Sequence, residues 1–244
     1  MTNPTAAILL IGDELLSGRT RDSNMHHLAG ELSRYGIDLR EVRIVPDEHE
    51  AIVAALDALR KAYAHVFTSG GIGPTHDDIT ADAVAAAFGV GISIRDDARA
   101  ILEERFAARG MTPTPDQLRM ARIPDGASLI TNAVSGAPGF TLGNVHVLAG
   151  VPNIFVAMTA ALLPTLEGGR PSVSREVRFH VGEGRVASGL RAVAEDFPDL
   201  TVGSYPFHRG DVYGTNVVVR GTDPDRVEAA ADRVEAFRRT LPGA

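Results

Sequence analysis

Residues 68–80 read TSGGIGPTHDDIT. Gly70, Gly71 and Gly73 stand just ahead of two adjacent acids, Asp77 and Asp78, with Pro74, Thr75 and His76 between them. A glycine-rich turn that opens a helix presents backbone N–H groups to a phosphate, and Thr75 adds a hydroxyl donor. Glycines also serve ordinary sharp turns, which is the plainer reading. No Gly-Lys-Ser/Thr follows, so this is not a Walker loop, and G-x-G-x-x-G is absent too. Carboxylates beside a phosphate repel it unless a cation lies between. A divalent ion such as Mg²⁺, Mn²⁺ or Co²⁺, held by Asp78 and touching substrate oxygens, reconciles the two halves of the motif.

Three further acids invite the same chemistry. Asp13 and Glu14 follow the apolar run AAILLI (6–11), and Asp47 follows LREVRIV (39–45). Each has a structural alternative. Asp78 can cap the helix that begins near Thr80, Asp47 with Glu50 fits an acidic capping box, and Asp13 and Glu14 can be solvated loop residues. His76 lies inside the glycine turn and can act as an acid or base. The other histidines carry no metal-ligand spacing on a helix face. There is no cysteine, so disulfides, thiol nucleophiles and cysteine-bound zinc are excluded. G-x-S-x-G is absent, which argues against a serine hydrolase.

These residues need elements to bring them together. AAILLI reads as a strand covered on both faces, and GDELLSGRTRDSN after it as a polar loop. Met25, Leu28, Ala29 and Leu32 make the stripe of an amphipathic helix, with Ser23 as N-cap and Gly36 as stop. A strand at 39–45, a helix at 47–62, a strand at 64–68, a helix ending at Gly89 and a helix from Asp96 to Ala108 follow. That last helix should turn Ile101, Leu102 and Phe106 inward. The β-α alternation predicts a mainly parallel sheet with helices on both faces, and ligands in such sheets bind outside the carboxyl ends of the strands. Acids distant in sequence should therefore meet on one rim. Residues 111–126 read as a connector, 131–140 as a turn-rich loop, 145–150 as a strand and 151–166 as a helix. After EGGRPSVS the pattern restarts as β-α-β-β-α. The expected division is an α/β domain over 1–168 and a small α+β domain over 172–244. Tyr205 and Phe207, beside Pro206, are read as core residues of that small domain, the other reading being an aromatic face for a nucleotide base.

The 244 residues carry a net charge of −7, and no basic cluster exceeds RK or RR. A nucleic-acid surface is disfavoured. An acidic protein that handles an anion needs backbone amides, a few arginines or a metal ion. No apolar run reaches the length of a membrane span, and the N-terminus lacks a basic leader, so a cytoplasmic protein is expected.

The stretches IGDELLSGRTRDSN, VPDE, TSGGIGPTHDDITADAV, NAVSGAPGF and LAGVPN occur here in the order and spacing of the molybdopterin-binding fold. The chain most resembles the N-terminal region of the competence/damage-inducible CinA proteins. Its tail, VGSYPFHRGDVYGTNVVVRG, resembles the small domain that follows in those proteins and in the hydrolase half of eukaryotic FAD synthase. The resemblance implies a three-layer α/β fold. It implies a metal or substrate role for Asp47 and Asp78; Asp13 or Glu14, read from its place on the same rim, either supports those residues or serves as general base. It also implies a substrate site built from Gly70, Gly71, Gly73, Pro74, Thr75, His76, Asn24, Asn132, Gly136, Pro138 and Gly139. The implied activity is divalent-metal-dependent cleavage of a diphosphate such as ADP-ribose or FAD. The alternatives are a molybdopterin-binding protein or adenylyltransferase of molybdenum cofactor metabolism, and a non-catalytic binding partner. A nucleotide or pterin-type ligand and a homo-oligomer are implied in the same way. CinA proteins continue into a nicotinamide-mononucleotide deamidase domain, an activity not expected of these residues. Two departures stand out. Ala149 and Ile154 occupy positions where those proteins usually carry proline and glutamate.

Overall fold

The computed structural model describes residues 2–210 and 212–243. The chain divides after Gly169 into two compact units.

The first unit runs β1 (Thr5–Ile11), α1 (Asp13–Leu16), α2 (Asn24–Arg34), β2 (Asp38–Val45), α3 (His49–Ala62), β3 (His65–Ser69), α4 (Thr80–Phe88), β4 (Ile92–Ile94) and α5 (Asp96–Ala107). It continues through α6 (Pro115–Leu118), a 3₁₀ turn (Arg119–Ala121), β5 (Arg122–Pro124), β6 (Ser128–Ile130), β7 (Gly139–Leu142), β8 (Val145–Leu148) and α7 (Pro152–Leu162). Six strands form the main sheet in the order β2-β1-β3-β8-β7-β6. The first four are parallel, and β7 and β6 add antiparallel pairs at one side.

The apolar run of β1 explains the layering. Ala7, Leu9 and Ile11 point into one core with Leu56 and Leu59 of α3 and Val84 of α4. Ala6, Ile8 and Leu10 point into a second core with Leu28 and Leu32 of α2 and Phe155 of α7. A strand with helices over both faces has no position for a polar residue, so its sequence loses the alternation of a half-exposed strand.

The second unit runs β9 (Val173–Phe179), α8 (Glu183–Asp196), β10 (Thr201–Arg209), β11 (Val212–Gly221) and α9 (Pro224–Thr240). Its antiparallel sheet has the order β10-β11-β9. Phe179, Val217 and Val219 pack with Val186, Leu190, Val227 and Val234 in a core of their own.

Several local expectations are corrected. GDELLSGRTRDSN is not all loop, because Asp13–Leu16 form one helical turn. Ser23 makes no side-chain cap; Asp22 instead accepts the amides of Asn24 (3.3 Å) and Met25 (3.0 Å). Leu102 of α5 is buried as expected, together with Ala98, but Ile101 is 40% exposed and Phe106 only half-buried. Tyr205 is 55% exposed and does not belong to the core. It stands in β10, an edge strand, which is also why Pro206 is tolerated there.

Candidate active site

Because β1, β2, β3 and β8 are parallel, the loops after all four leave the sheet on the same side. The pairing continues past the strands: Gly12 N–H donates to the Val45 carbonyl at 3.2 Å, and Gly70 N–H to that of Leu148 at 3.3 Å. The glycine turn starts there. Gly70 has φ 111°, and a Cβ on it would collide with the carbonyl oxygen of Ile11. Only glycine permits both that conformation and that approach. Thr80, the buried first residue of α4, pins the turn. Its hydroxyl donates to the Gly70 carbonyl (2.9 Å) and its amide to that of Gly71 (2.9 Å).

Neither key aspartate caps the helix that follows it. Helices α3 and α4 have no side-chain cap. Asp47 reaches across to the start of α1, where its Oδ2 accepts the Asp13 amide at 3.0 Å. Asp78 folds back over the turn, accepting the Thr75 amide at 2.8 Å and the Thr75 hydroxyl. The capping readings of both residues are thereby replaced by bonds within the site.

The loops enclose a cavity of about 500 Å³. Glu14, Asp47, Asp77 and Asp78 line it together with Gly70, Gly71, Gly73 and Pro74. Three separate strand ends thus deliver carboxylates to one space. Asn132 and Ser135 contribute polar atoms, and Met120, Ala149, Val151, Ile154 and Met158 an apolar wall. No lysine or arginine lines the cavity among the described residues. Burial pushes the Asp47 carboxyl above the usual range. The Asp13 amide opposes this, and the charges of Asp13, Glu14 and Asp77 reinforce it.

The remaining residues named from sequence divide by role. Asn24 is buried and does not line the cavity. Its amide donates to Ser69 Oγ (2.8 Å) and the Gly150 carbonyl (2.7 Å), tying the loops after β3 and β8 together. Asn132 shapes its own loop, donating to Ser135 Oγ (2.6 Å) and the Ala137 carbonyl (2.8 Å) while accepting the amides of Val134 and Ser135. Gly136 lies against Arg105, and Gly139 is buried in β7 against the Val147 carbonyl, so both serve packing. Pro138 borders a narrow cleft beside the cavity. Asp13 is exposed and supplies its backbone amide, not its carboxylate. The His76 side chain is 99% exposed, 3.9 Å from Asp77, and does not line the cavity; Thr75 acts by holding Asp78.

Sequence reading did not single out Asp77 apart from its neighbour, nor Met120 and Met158. Met120 sits in a connector with no periodicity to orient it. Ala149 and Ile154, noted as departures from the CinA pattern, both stand in the cavity wall.

Among the described residues, no group of three or more His, Asp or Glu is arranged to hold a metal unaided. Two carboxylates on an acidic wall fit a hard cation that keeps waters and takes its other ligands from a substrate phosphate.

The fold and the site have relatives. Residues 7–168 match the family model of a probable molybdopterin-binding domain, and residues 171–241 that of the FAD synthase middle domain. A protein of Metallosphaera sedula is 32% identical over 98% of this chain and 96% of its own length. A probable FAD synthase of Caenorhabditis elegans is 30% identical over 98% of this chain, which spans 50% of that protein. The crystal structure of CinA from Thermoplasma acidophilum, a protein described there as of unknown function, superposes with a TM-score of 0.62 at 31% identity. That match covers 68% of this chain and 99% of the other. Among the described residues no helix is long and apolar enough to cross a membrane. The chain belongs to the molybdopterin-binding-domain family, as a CinA-type N-terminal region followed by a second unit that matches the FAD synthase middle domain.

Proposed function

We propose that this protein is a divalent-metal-dependent hydrolase of diphosphates joined to a nucleoside, with ADP-ribose and FAD as the leading substrates. The observation behind this reading is the meeting of Glu14, Asp47, Asp77 and Asp78 with the glycine turn in one cavity. The FAD synthase middle domain and the FAD synthase relative support a nucleotide substrate.

In the reaction, water adds to one phosphorus and the bridging P–O–P bond breaks. AMP and a second monophosphate leave as dianions, and two protons are released. The Gly70 amide is used by the Leu148 carbonyl, which leaves the amides of Gly71, Ile72 and Gly73 to face charge that grows on the phosphoryl oxygens. Glu14, which lines the cavity where Asp13 does not, is the base that accepts the water proton. Asp47 and Asp78 would hold the cation, which when bound neutralises phosphate charge and acidifies a coordinated water. Thr75 keeps Asp78 aimed, and the Asp13 amide does the same for Asp47.

The second reading is a molybdopterin-binding protein or adenylyltransferase, favoured by the family matched over residues 7–168. One panel separates the two: ADP-ribose, FAD, NAD and molybdopterin with ATP, each with Mg²⁺, Mn²⁺, Co²⁺ or chelator. AMP release from ADP-ribose or FAD with a cation is expected, and none in chelator. Adenylylated molybdopterin without diphosphate cleavage would favour the second reading. Full turnover in excess chelator would refute the metal's part.

A further inference from the structure

The acidic cavity has a charge problem. Four carboxylates line it, no basic side chain does among the described residues, and a diphosphate substrate adds more negative charge. A narrow cleft of about 20 Å³ adjoins it, sharing Gly71, Ile72, Gly73, Asp78 and Met120. Two arginines border this cleft, Arg119 and Arg122.

They are in different states. Arg122 is engaged, its guanidinium paired with both oxygens of Asp82 at 2.7 and 2.5 Å. Arg119 makes no side-chain hydrogen bond and no ion pair among the described residues, and its Nε is buried without a partner. The nearby carboxylates have other partners: Asp78 is bonded to Thr75 and Asp82 to Arg122. Arg105 also has a buried, unpartnered Nε, but another of its nitrogens donates to the Val134 carbonyl at 2.6 Å.

The backbone holds Arg119 in place. Helix α6 carries a full capping box, with Gln117 N–H donating to Thr114 Oγ1 (3.3 Å) and Thr114 N–H to Gln117 Oε1 (2.8 Å). The 3₁₀ turn that begins with Arg119 follows directly, and the carbonyl of Ala121 at its end accepts the Arg95 amide at 3.0 Å. A cation fixed at both flanks, with a buried donor left open, is costly unless an anion completes it.

We propose that Arg119 is the anion-binding side chain of this site, receiving phosphate oxygens of the substrate where they meet the Gly71–Gly73 turn. A planar guanidinium matches a pair of phosphate oxygens, and being always charged it binds the anion with or without a cation present. It selects diphosphates over uncharged rings of the same size. The inference rests on the reading of the cavity as a diphosphate site.

The test is binding of inorganic pyrophosphate by the full chain, measured by calorimetry in chelator and in Mg²⁺. Arg119→Met keeps much of the stem and removes the charge. It should weaken pyrophosphate by at least about tenfold in both conditions and flatten the salt dependence, while its melting temperature stays near the parent's because no bond is lost. Parent-like affinity in Arg119→Met, or no pyrophosphate binding by the parent, overturns the proposal. A measurement on the parent covers the case where the variant does not fold. Pyrophosphate should protect Arg119 from phenylglyoxal but not Arg99, which pairs with Glu103 on the surface. Equal labelling with and without pyrophosphate overturns the proposal as well. If pyrophosphate binds through Arg119 and no diphosphate is cleaved, the hydrolase reading fails and the binding role stands.

Discussion

Replacing Asp47 by asparagine separates the work of this residue in the site from any work in the fold. The carboxylate makes one hydrogen bond, from the Asp13 amide at 3.0 Å. Asparagine keeps an oxygen in that position, so the loss is the difference between a charged and a neutral acceptor, about 1 kcal/mol. Against this stands a gain. Burial, and then the neighbouring charges of Asp13, Glu14 and Asp77, disfavour the ionised form, and asparagine removes that penalty. The two effects oppose each other, so Asp47→Asn should lie within about 1 kcal/mol of the parent, a melting shift of roughly 2–4 °C or less. The pH dependence has a definite sign. A raised carboxyl pKa means that the folded state holds the proton more tightly than the unfolded chain does. Ionised Asp47 therefore subtracts from stability at neutral pH, and the deficit fades as pH falls through the raised pKa. The variant should compare best with the parent at pH 7 and lose ground as the pH drops. Cleavage of the diphosphate should fall by about 10–100-fold and respond less steeply to added cation. Melting curves across this pH range beside metal titrations of the rate check both halves. A loss above about 3 kcal/mol would make Asp47 a fold residue, contrary to the single bond it makes. An unchanged rate and metal response would remove it from the site.

Other outcomes follow from the same geometry. Gly70→Ala places a Cβ against the Ile11 carbonyl at φ 111° and should cost about 2–4 kcal/mol by thermal melting, whereas Gly18→Ala, at φ 72° with open space around it, should cost only the backbone strain of about 1–2 kcal/mol. Asn24→Ala leaves Ser69 and Gly150 without their donor and should destabilise by about 1–3 kcal/mol, with a loosened site seen as a raised KM. Burial holds the His146 imidazole down to about 3, so stability should be full above the ordinary value of 6.5 and decline as pH falls from there toward 3. His146→Gln should flatten that decline in acid denaturation; an unchanged slope would place the acid-sensitive group elsewhere.

Much of this architecture was legible because its signals are local. The unbroken apolar run of β1, the stripe of α2 and the glycines of the turn each report their surroundings within a few residues. The acids could be placed on one rim because parallel strands fix which end of each loop faces the ligand. What escaped reading depends on partners far along the chain. The capping pattern of Asp47 and Glu50 is genuine as a pattern, yet the Asp13 amide, 34 positions away, wins the carboxylate. Strands as short as β4, β5 and β6 carry no period. Ile101 fits the helical stripe of α5, yet it meets solvent. Arg119 lies in a connector whose sequence gives no hint that it borders the glycine turn.

The hairpin of the second unit has a consequence for motion. Strand β11 meets β9 only from Thr215 to Gly221, while β10 and β11 stay paired out to Arg209 and Val212. Along Phe207–Arg209 and Val212–Gly214 each strand therefore has one neighbour instead of a sheet, and a two-stranded ribbon is marginal in water. Amide exchange should follow that division. Val217 and Val219, in the middle of the three-stranded part and fully buried, should exchange only when the whole unit opens. The outer ribbon, with Phe207 lying over Gly214 and beneath the Arg178 guanidinium at 5.2 Å, should open and reclose many times while that core stays shut.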